Sequence, residues 1–158
     1  MRLDHKSVKV FADYHQFYLW DKGMTPLAPE QCSEEDVQRR IKTGPYVVVV
    51  QPERDMNVSL EIEIHDSEPA YDPAAWDHIA EASLHLPTGQ LQVHECTGGP
   101  VADFLVEKGW YRVRSFHGGF DTIAAVGTDG SDFYRVVLWP APSGEVAIVK
   151  QSLRAAGS

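Results

Sequence analysis

The stretch from Val47 to Asp77 constrains this chain more than any other. It opens on four consecutive valines, Val47 to Val50, within a run that reads as a buried strand over 45–51. From Asn57 to His65 the pattern alternates strictly. Val58, Leu60, Ile62 and Ile64 are apolar, and Ser59, Glu61, Glu63 and His65 are polar. Successive side chains of a strand point to opposite faces, so this period places one face on a core and the other in water. The stretch then ends in an acidic loop carrying Asp66, Glu68, Asp72 and Asp77. Between Pro52 and Asp77, eight acids (Glu53, Asp55, Glu61, Glu63, Asp66, Glu68, Asp72, Asp77) stand against one base, Arg54. That excess accounts for most of the formal net charge of -9. A stiff sheet with a concentrated negative face is the expectation.

That charge excludes some partners. Neutralising phosphates takes clustered Lys and Arg, so direct nucleic-acid binding is not expected. A basic protein partner is. No apolar run approaches the roughly 20 residues of a membrane-spanning helix, and no apolar stretch follows the charged start Met1 to Lys6, so a cytoplasmic location is the expectation. Cys32 and Cys96 are too few for a disulfide scaffold and sit in no metal-ligand pair spacing; they read as reduced thiols.

The rest of the chain is also rich in β signals. Ser7 to Asp21 is extended, but its apolar phase slips near Ala12–Asp13: Val8 and Val10 are even, Phe17 and Leu19 odd. A bulge or a switch between sheets does this. Ser33 to Lys42 predicts a helix. Ser33 caps it, Glu34, Glu35 and Asp36 fill the first turn, Arg39, Arg40 and Lys42 the last, and Gly44 follows. Val37 and Ile41 give it one apolar stripe. Glu81–Leu86 and Leu91–Glu95, joined by Pro87–Thr88–Gly89–Gln90, read as a hairpin. Further strands are expected at Gly109–Phe116, Phe133–Trp139 and Val146–Val149. The fold expected is mainly β: a two-sheet antiparallel sandwich over 1–153 with one short capping helix, and a frayed tail over 154–158.

Motifs for catalysis are weak. No G-x-S-x-G occurs, and the Gly98–Gly99 and Gly118–Gly119 pairs precede no helix, so they read as turns. Gly127 to Asp132 has two acids and two glycines but lacks the remaining ligands of a calcium loop; it reads as a solvated hairpin turn. Seven histidines form no H-x-H or H-x₃-H pair. His85 and His94 flank the expected hairpin, where cross-strand pairing would bring two imidazoles together.

The segment Ala12–Asp13–Tyr14–His15–Gln16–Phe17–Tyr18–Leu19, above all its Tyr-His-Gln-Phe core, resembles the start of the competence protein J (ComJ) family, inhibitors of a nuclease of DNA uptake. Gly109–Trp110–Tyr111–Arg112–Val113–Arg114 and Phe133–Tyr134–Arg135–Val136–Val137–Leu138–Trp139–Pro140 are similar to small bacterial proteins that share this opening. The resemblance implies a nuclease partner, no cofactor and no catalysis by the inhibitor. It supplies no mapped contact residue.

Charge and resemblance converge on an acidic inhibitor or immunity protein that occupies the basic cleft of a nuclease or toxin. Glu61 and Glu63, two apart on a strand, are spaced ~6–7 Å, close to successive phosphates. The expected contacts are Asp55, Glu61, Glu63, Asp66, Glu68, Asp72 and Asp77, with Tyr71 and Trp76 as aromatic anchors. The alternatives are a ligand- or metal-binding sandwich, possibly an enzyme, using Asp13, His15, His85 or His94, and a homodimer formed through a long edge strand.

Overall fold

A computed structural model of the protein describes residues 1–125 and 129–154. The strands are β1 (Arg2–Phe11), β2 (Phe17–Asp21), β3 (Ile41–Gly44), β4 (Val47–Val50), β5 (Asn57–His65), β6 (His78–Leu86), β7 (Gln90–Glu95), β8 (Pro100–Leu105), β9 (Gly109–Gly118), β10 (Phe133–Pro140) and β11 (Ala147–Lys150). One helix, α1 (Glu34–Arg39), lies between β2 and β3. The strands form a six-stranded sheet, ordered β1-β5-β10-β9-β6-β11, and a five-stranded sheet, ordered β3-β4-β2-β7-β8.

The two sheets share one apolar core. The first contributes Leu60, Ile62 and Ile64 of β5, Val113 of β9 and Val136 and Leu138 of β10; the second contributes Phe17, Leu19, Val48, Val50, Leu91 and Val93. Alternation along β5 does what its sequence predicts, burying every second residue. The four valines of β4 are buried on both faces.

The phase slip near Ala12 is a switch between sheets. β1 pairs with β5 in the first sheet, and β2 pairs with β4 and β7 in the second. A 3-10 turn over Asp13–His15 makes the change, with Tyr14 and His15 at φ 57° and 56°. That left-handed geometry is uncommon for residues other than glycine.

Several details differ from expectation, four of them in how the chain turns, pairs and ends. The Pro87–Gly89 turn does not close a hairpin: β6 lies in the six-stranded sheet and β7 in the five-stranded one. Gly89, at φ +71°, turns the corner where an added Cβ would lie 2.3 Å from the Val106 carbonyl oxygen. The buried Asp21 carboxylate fixes this corner by accepting from the Thr88 N–H at 2.8 Å. Both strands keep their apolar residues inward, so alternation cannot tell a hairpin from an arch across the core. The second difference is that β5 and β10 pair in parallel, in an otherwise antiparallel sheet. They are distant in sequence, so no tight turn dictates their direction.

The third difference is the helix, which ends early. Ser33 makes the capping box with Asp36, but Arg40 is left-handed at φ 58° and Ile41 begins β3. Arg40 turns inward, where Nε and Nη2 donate to Glu53 at 3.2 and 3.0 Å. The fourth is Arg154, expected to be frayed; it donates to Glu53 at 3.1 Å, while its carbonyl accepts from Arg40. Residues 155–158 of the expected tail lie outside the described residues, as do residues 127–128 of the Gly127–Asp132 turn. Asp132 of that turn is buried, held by Arg54 and by the Tyr134 hydroxyl. β3 and β8 were not expected at all. β8 is a short edge strand that starts on Pro100 and exposes Leu105.

A polar cluster sits inside the first sheet near these residues. His78 and His117 are cross-strand partners with ring centroids 5.2 Å apart. His117 also packs edge-on against Tyr134 at 5.1 Å, and the Tyr134 hydroxyl accepts from the Glu53 N–H at 2.9 Å. Burial keeps both imidazoles neutral. It pushes His78 down to about 4, and it holds His117 well below the ordinary value, with help from the charges of His78 and Arg40.

Candidate functional site

The expected acidic face is the outer side of the six-stranded sheet. Pairing sets its rows. Glu61 of β5 lies beside Arg135 of β10, then Phe116 of β9 and Ile79 of β6. One step along, Glu63 is followed by Val137, Arg114 and Glu81. Carboxylates therefore alternate with guanidinium and apolar groups across the sheet.

The chain's own cations compensate part of the negative ladder. Arg135 donates through Nε and Nη2 to Glu61 Oε2 at 3.1 and 3.0 Å, and its Nε lies 3.4 Å from Glu63 Oε2. His65 Nε2 is 2.8 Å from Glu63 Oε1. Arg114 donates to Glu68 at 2.6 Å and to Glu81 at 2.7 Å. Burial alone would lower the Arg114 pKa, but bonds and charge from Glu68 and Glu81 hold it above the ordinary value. Asp66 is bonded by the Met1 amino group at 2.7 Å, which lowers its pKa. Glu53 faces inward to Arg40 and Arg154. Five of the eight acids, Glu53, Glu61, Glu63, Asp66 and Glu68, are thus ion-paired. An uncompensated phosphate-like array, as the sequence suggests, is not what Glu61 and Glu63 form. Asp55 is half-buried in the connection before β5.

The acidic loop 66–77 folds back over this face. Trp76 packs on Phe116 and Phe133, with centroids 5.1 and 5.4 Å away, and Tyr71 meets Phe116 edge-on at 5.3 Å. Together Trp76, Ile79, Phe116, Val137 and Trp139 make a second, smaller apolar cluster. Arg114 lies between the Tyr71 and Trp139 rings at 4.4 and 4.6 Å. Cation–π contact of this kind strengthens when water is excluded. The Asp72 carboxylate caps a 3-10 turn by accepting from the Ala74 N–H at 3.0 Å, and Asp77 accepts from the Phe120 N–H at 3.0 Å. Gly118 lets the rings close, since an added Cβ would come within 2.6 Å of the Phe133 ring.

The two aromatic candidates therefore differ. Trp76, expected as a partner anchor, is 9% exposed and seats the loop on the sheet. Tyr71 stays 36% exposed beside Glu68 and Asp72, which are also exposed. Next to the loop, Trp76, Phe133, Lys9, Ser59, Glu61 and Arg135 line an open cleft of about 640 Å³. Arg114 and Arg135 are the residues sequence reasoning missed. They are visible as the polar positions of two strands, but only the register sets them against Glu61, Glu63 and Glu68.

The histidine alternative is not assembled. His85 stacks on Trp110 at 4.5 Å in the six-stranded sheet, and His94 packs on Trp20 at 4.6 Å in the five-stranded one. Asp13 accepts from Thr97, and His15 is exposed on the strained turn. Among the described residues, the group whose spacing suits a metal ion is His5, Glu61 and Glu63. Cys32 and Cys96 are both free thiols. β1, the long edge strand, carries Arg2, Asp4, Lys6 and Lys9, charges that oppose pairing with another strand. Among the described residues, no helix is long and apolar enough to cross a membrane.

No known family and no curated protein matches the sequence. Two solved structures match the fold. One is ComJ of Bacillus subtilis, an inhibitor of the DNA degrading activity of NucA. It has a TM-score of 0.67 and 13% identity, over 89% of this chain and 98% of that one. The other is the crocagin biosynthetic gene J product, with a TM-score of 0.56 and 18% identity, over 89% of this chain and 100% of that one. At such identities the likeness is one of fold, and the chain is a two-sheet β protein of the architecture seen in ComJ.

Proposed function

We propose that this protein is a binding protein that inhibits a basic nuclease or toxin, and that the rim of loop 66–77 makes the contact. One observation carries the reading: the loop is acidic, exposed and fixed. Trp76 seats it on Phe116, Asp77 ties it to the Phe120 N–H, and Asp72 caps the turn within it. A loop ordered before binding loses little conformational entropy on association. Glu68, Asp72 and Tyr71 form the exposed rim, with Asp66 beside them. The net charge of -9 would steer a cationic partner toward it. The fold shared with a nuclease inhibitor supports the same partner class. In this reading Glu61 and Glu63, half-buried on the sheet, play a lesser part than the exposed Glu68 and Asp72, and Asp55 lies in the connection before β5. The protein acts by occupying its partner's cleft and performs no catalysis itself.

The test is a nuclease assay with purified NucA-type enzyme and a stoichiometric excess of this chain. Inhibition is expected, falling as salt rises. Reversing Glu68 and Asp72 together to Lys should slow association by about tenfold or more at low salt. Full activity of every nuclease tried, at any salt, would reject the proposal. Inhibition unaffected by the double reversal would place the contact elsewhere on the surface.

A further inference from the structure

We infer that His5, Glu61 and Glu63 form a binding site for a divalent transition-metal ion, Zn²⁺ or Mn²⁺. Antiparallel pairing of β1 with β5 sets His5 directly opposite Glu63, and Ser7 opposite Glu61. All three ligand-bearing side chains stand on the outer face, half-buried. A ring nitrogen of His5 and one oxygen of each carboxylate lie within 4.8 Å of one another. Protein ligands sit about 2.0–2.2 Å from zinc. Ligands of one ion are therefore separated by at most roughly twice that, and small side-chain rotations close the site.

Three features favour a cation here. One imidazole with two carboxylates is a donor set for zinc or manganese, whereas calcium and magnesium take oxygen ligands alone. Among the described residues the His5 ring makes no hydrogen bond, so a nitrogen is available. The charge is also unbalanced. The single guanidinium of Arg135 faces two carboxylates, which leaves a net negative charge at the cluster. His65, bonded to Glu63 Oε1 at 2.8 Å, orients that carboxylate.

Arg135 is the competitor. It holds Oε2 of both glutamates in the absence of metal, yet its side chain is 39% exposed. An exposed ion pair of this kind contributes little. Arg135 can therefore release the carboxylates and remain over the Trp76 ring, 5.2 Å away. The site exchanges a guanidinium for a metal ion. It needs no partner protein, so it stands or falls apart from the inhibitor reading.

The experiment is calorimetric titration of the chelator-treated 158-residue chain with ZnCl₂ and MnCl₂, with CaCl₂ and MgCl₂ alongside. One equivalent of Zn²⁺ or Mn²⁺ is expected to bind and raise the melting temperature. His5→Ala and Glu61→Gln should each weaken binding by about tenfold or more. Arg135→Gln should tighten it, a gain that general damage to the fold would not produce. Circular dichroism confirms that each variant folds. As a measurement on the wild-type chain, Co²⁺ should give a visible spectrum of nitrogen and oxygen ligation that one equivalent of Zn²⁺ abolishes. Absence of one-equivalent binding, equal affinity in His5→Ala, or weaker binding in Arg135→Gln would each overturn the proposal.

Discussion

Two arginine–glutamate clusters in this molecule use the same chemistry in opposite settings. Arg40 and Glu53 are 2% and 1% exposed at their side chains. Arg135 and Glu61 are 39% and 42% exposed. Inside, each charge has been taken from water at a cost of several kcal/mol, recovered only while its partner and hydrogen bonds remain. Outside, water solvates both members, and the pair is worth about 0–1 kcal/mol. The inner cluster ties α1, β3 and the segment near Arg154 to the core. The outer cluster is expected to come apart at little cost to the fold. The metal site proposed above draws on that freedom.

The sharpest way to break this contrast is Glu53→Ala. It removes the carboxylate partner of the buried Arg40 and should cost about 3–5 kcal/mol, read by chemical denaturation. A cost below about 1 kcal/mol would mean that the inner pair is solvated in practice.

Acid titration tests the same region by another route. His78 is held at about 4 and His117 well below its ordinary value, against an unfolded value near 6.5. The unfolded chain therefore binds more protons between those values. Stability is complete above about pH 6.5 and falls as pH drops toward 4. The loss from His78 alone is on the order of 3 kcal/mol, since each unit is about 1.4 kcal/mol. The double variant His78→Gln, His117→Gln should flatten that slope. An unchanged slope would assign it to carboxylates.

Arg114 stands between the two cases. It lies on the outer face yet is 3% exposed at its side chain, beneath Tyr71 and loop 66–77. Arg114→Ala should cost about 2 kcal/mol, because half-buried Glu81 loses a charged donor and the rings lose their cation. Protease cleavage within 66–77 should quicken in this variant. The smallest effect belongs to Arg135→Ala, below about 1 kcal/mol in denaturation. A larger value would mean that the outer pair is structural.

Much of this architecture was legible from periodicity. The buried alternation of β5, the buried four-valine strand and the phase slip near Ala12 all follow from which residues are apolar and in what phase, though only the structure chose a switch between sheets over a bulge. The capping box at Ser33 is equally local. The arch at Pro87–Gly89 was not legible, because residues facing each other across a core and residues paired side by side have the same alternation. Nor was the early end of α1, which depends on Glu53 waiting in the interior for Arg40. The parallel pairing of β5 with β10 also depends on segments far apart in the chain.

The candidate site shows the same division. An excess of carboxylates between Pro52 and Asp77 is a property of composition, and no folding changes it. Whether those charges stay free is a question of register. The chain has fewer cations than acids, yet pairing places Arg135 against Glu61 and Arg114 against Glu68. It also folds Trp76 under the loop it was expected to display. Local sequence determines the faces of each strand, because side-chain direction is a backbone property of period two. Only the tertiary structure decides which faces meet, because Coulomb and packing energies depend on distances that span the whole chain.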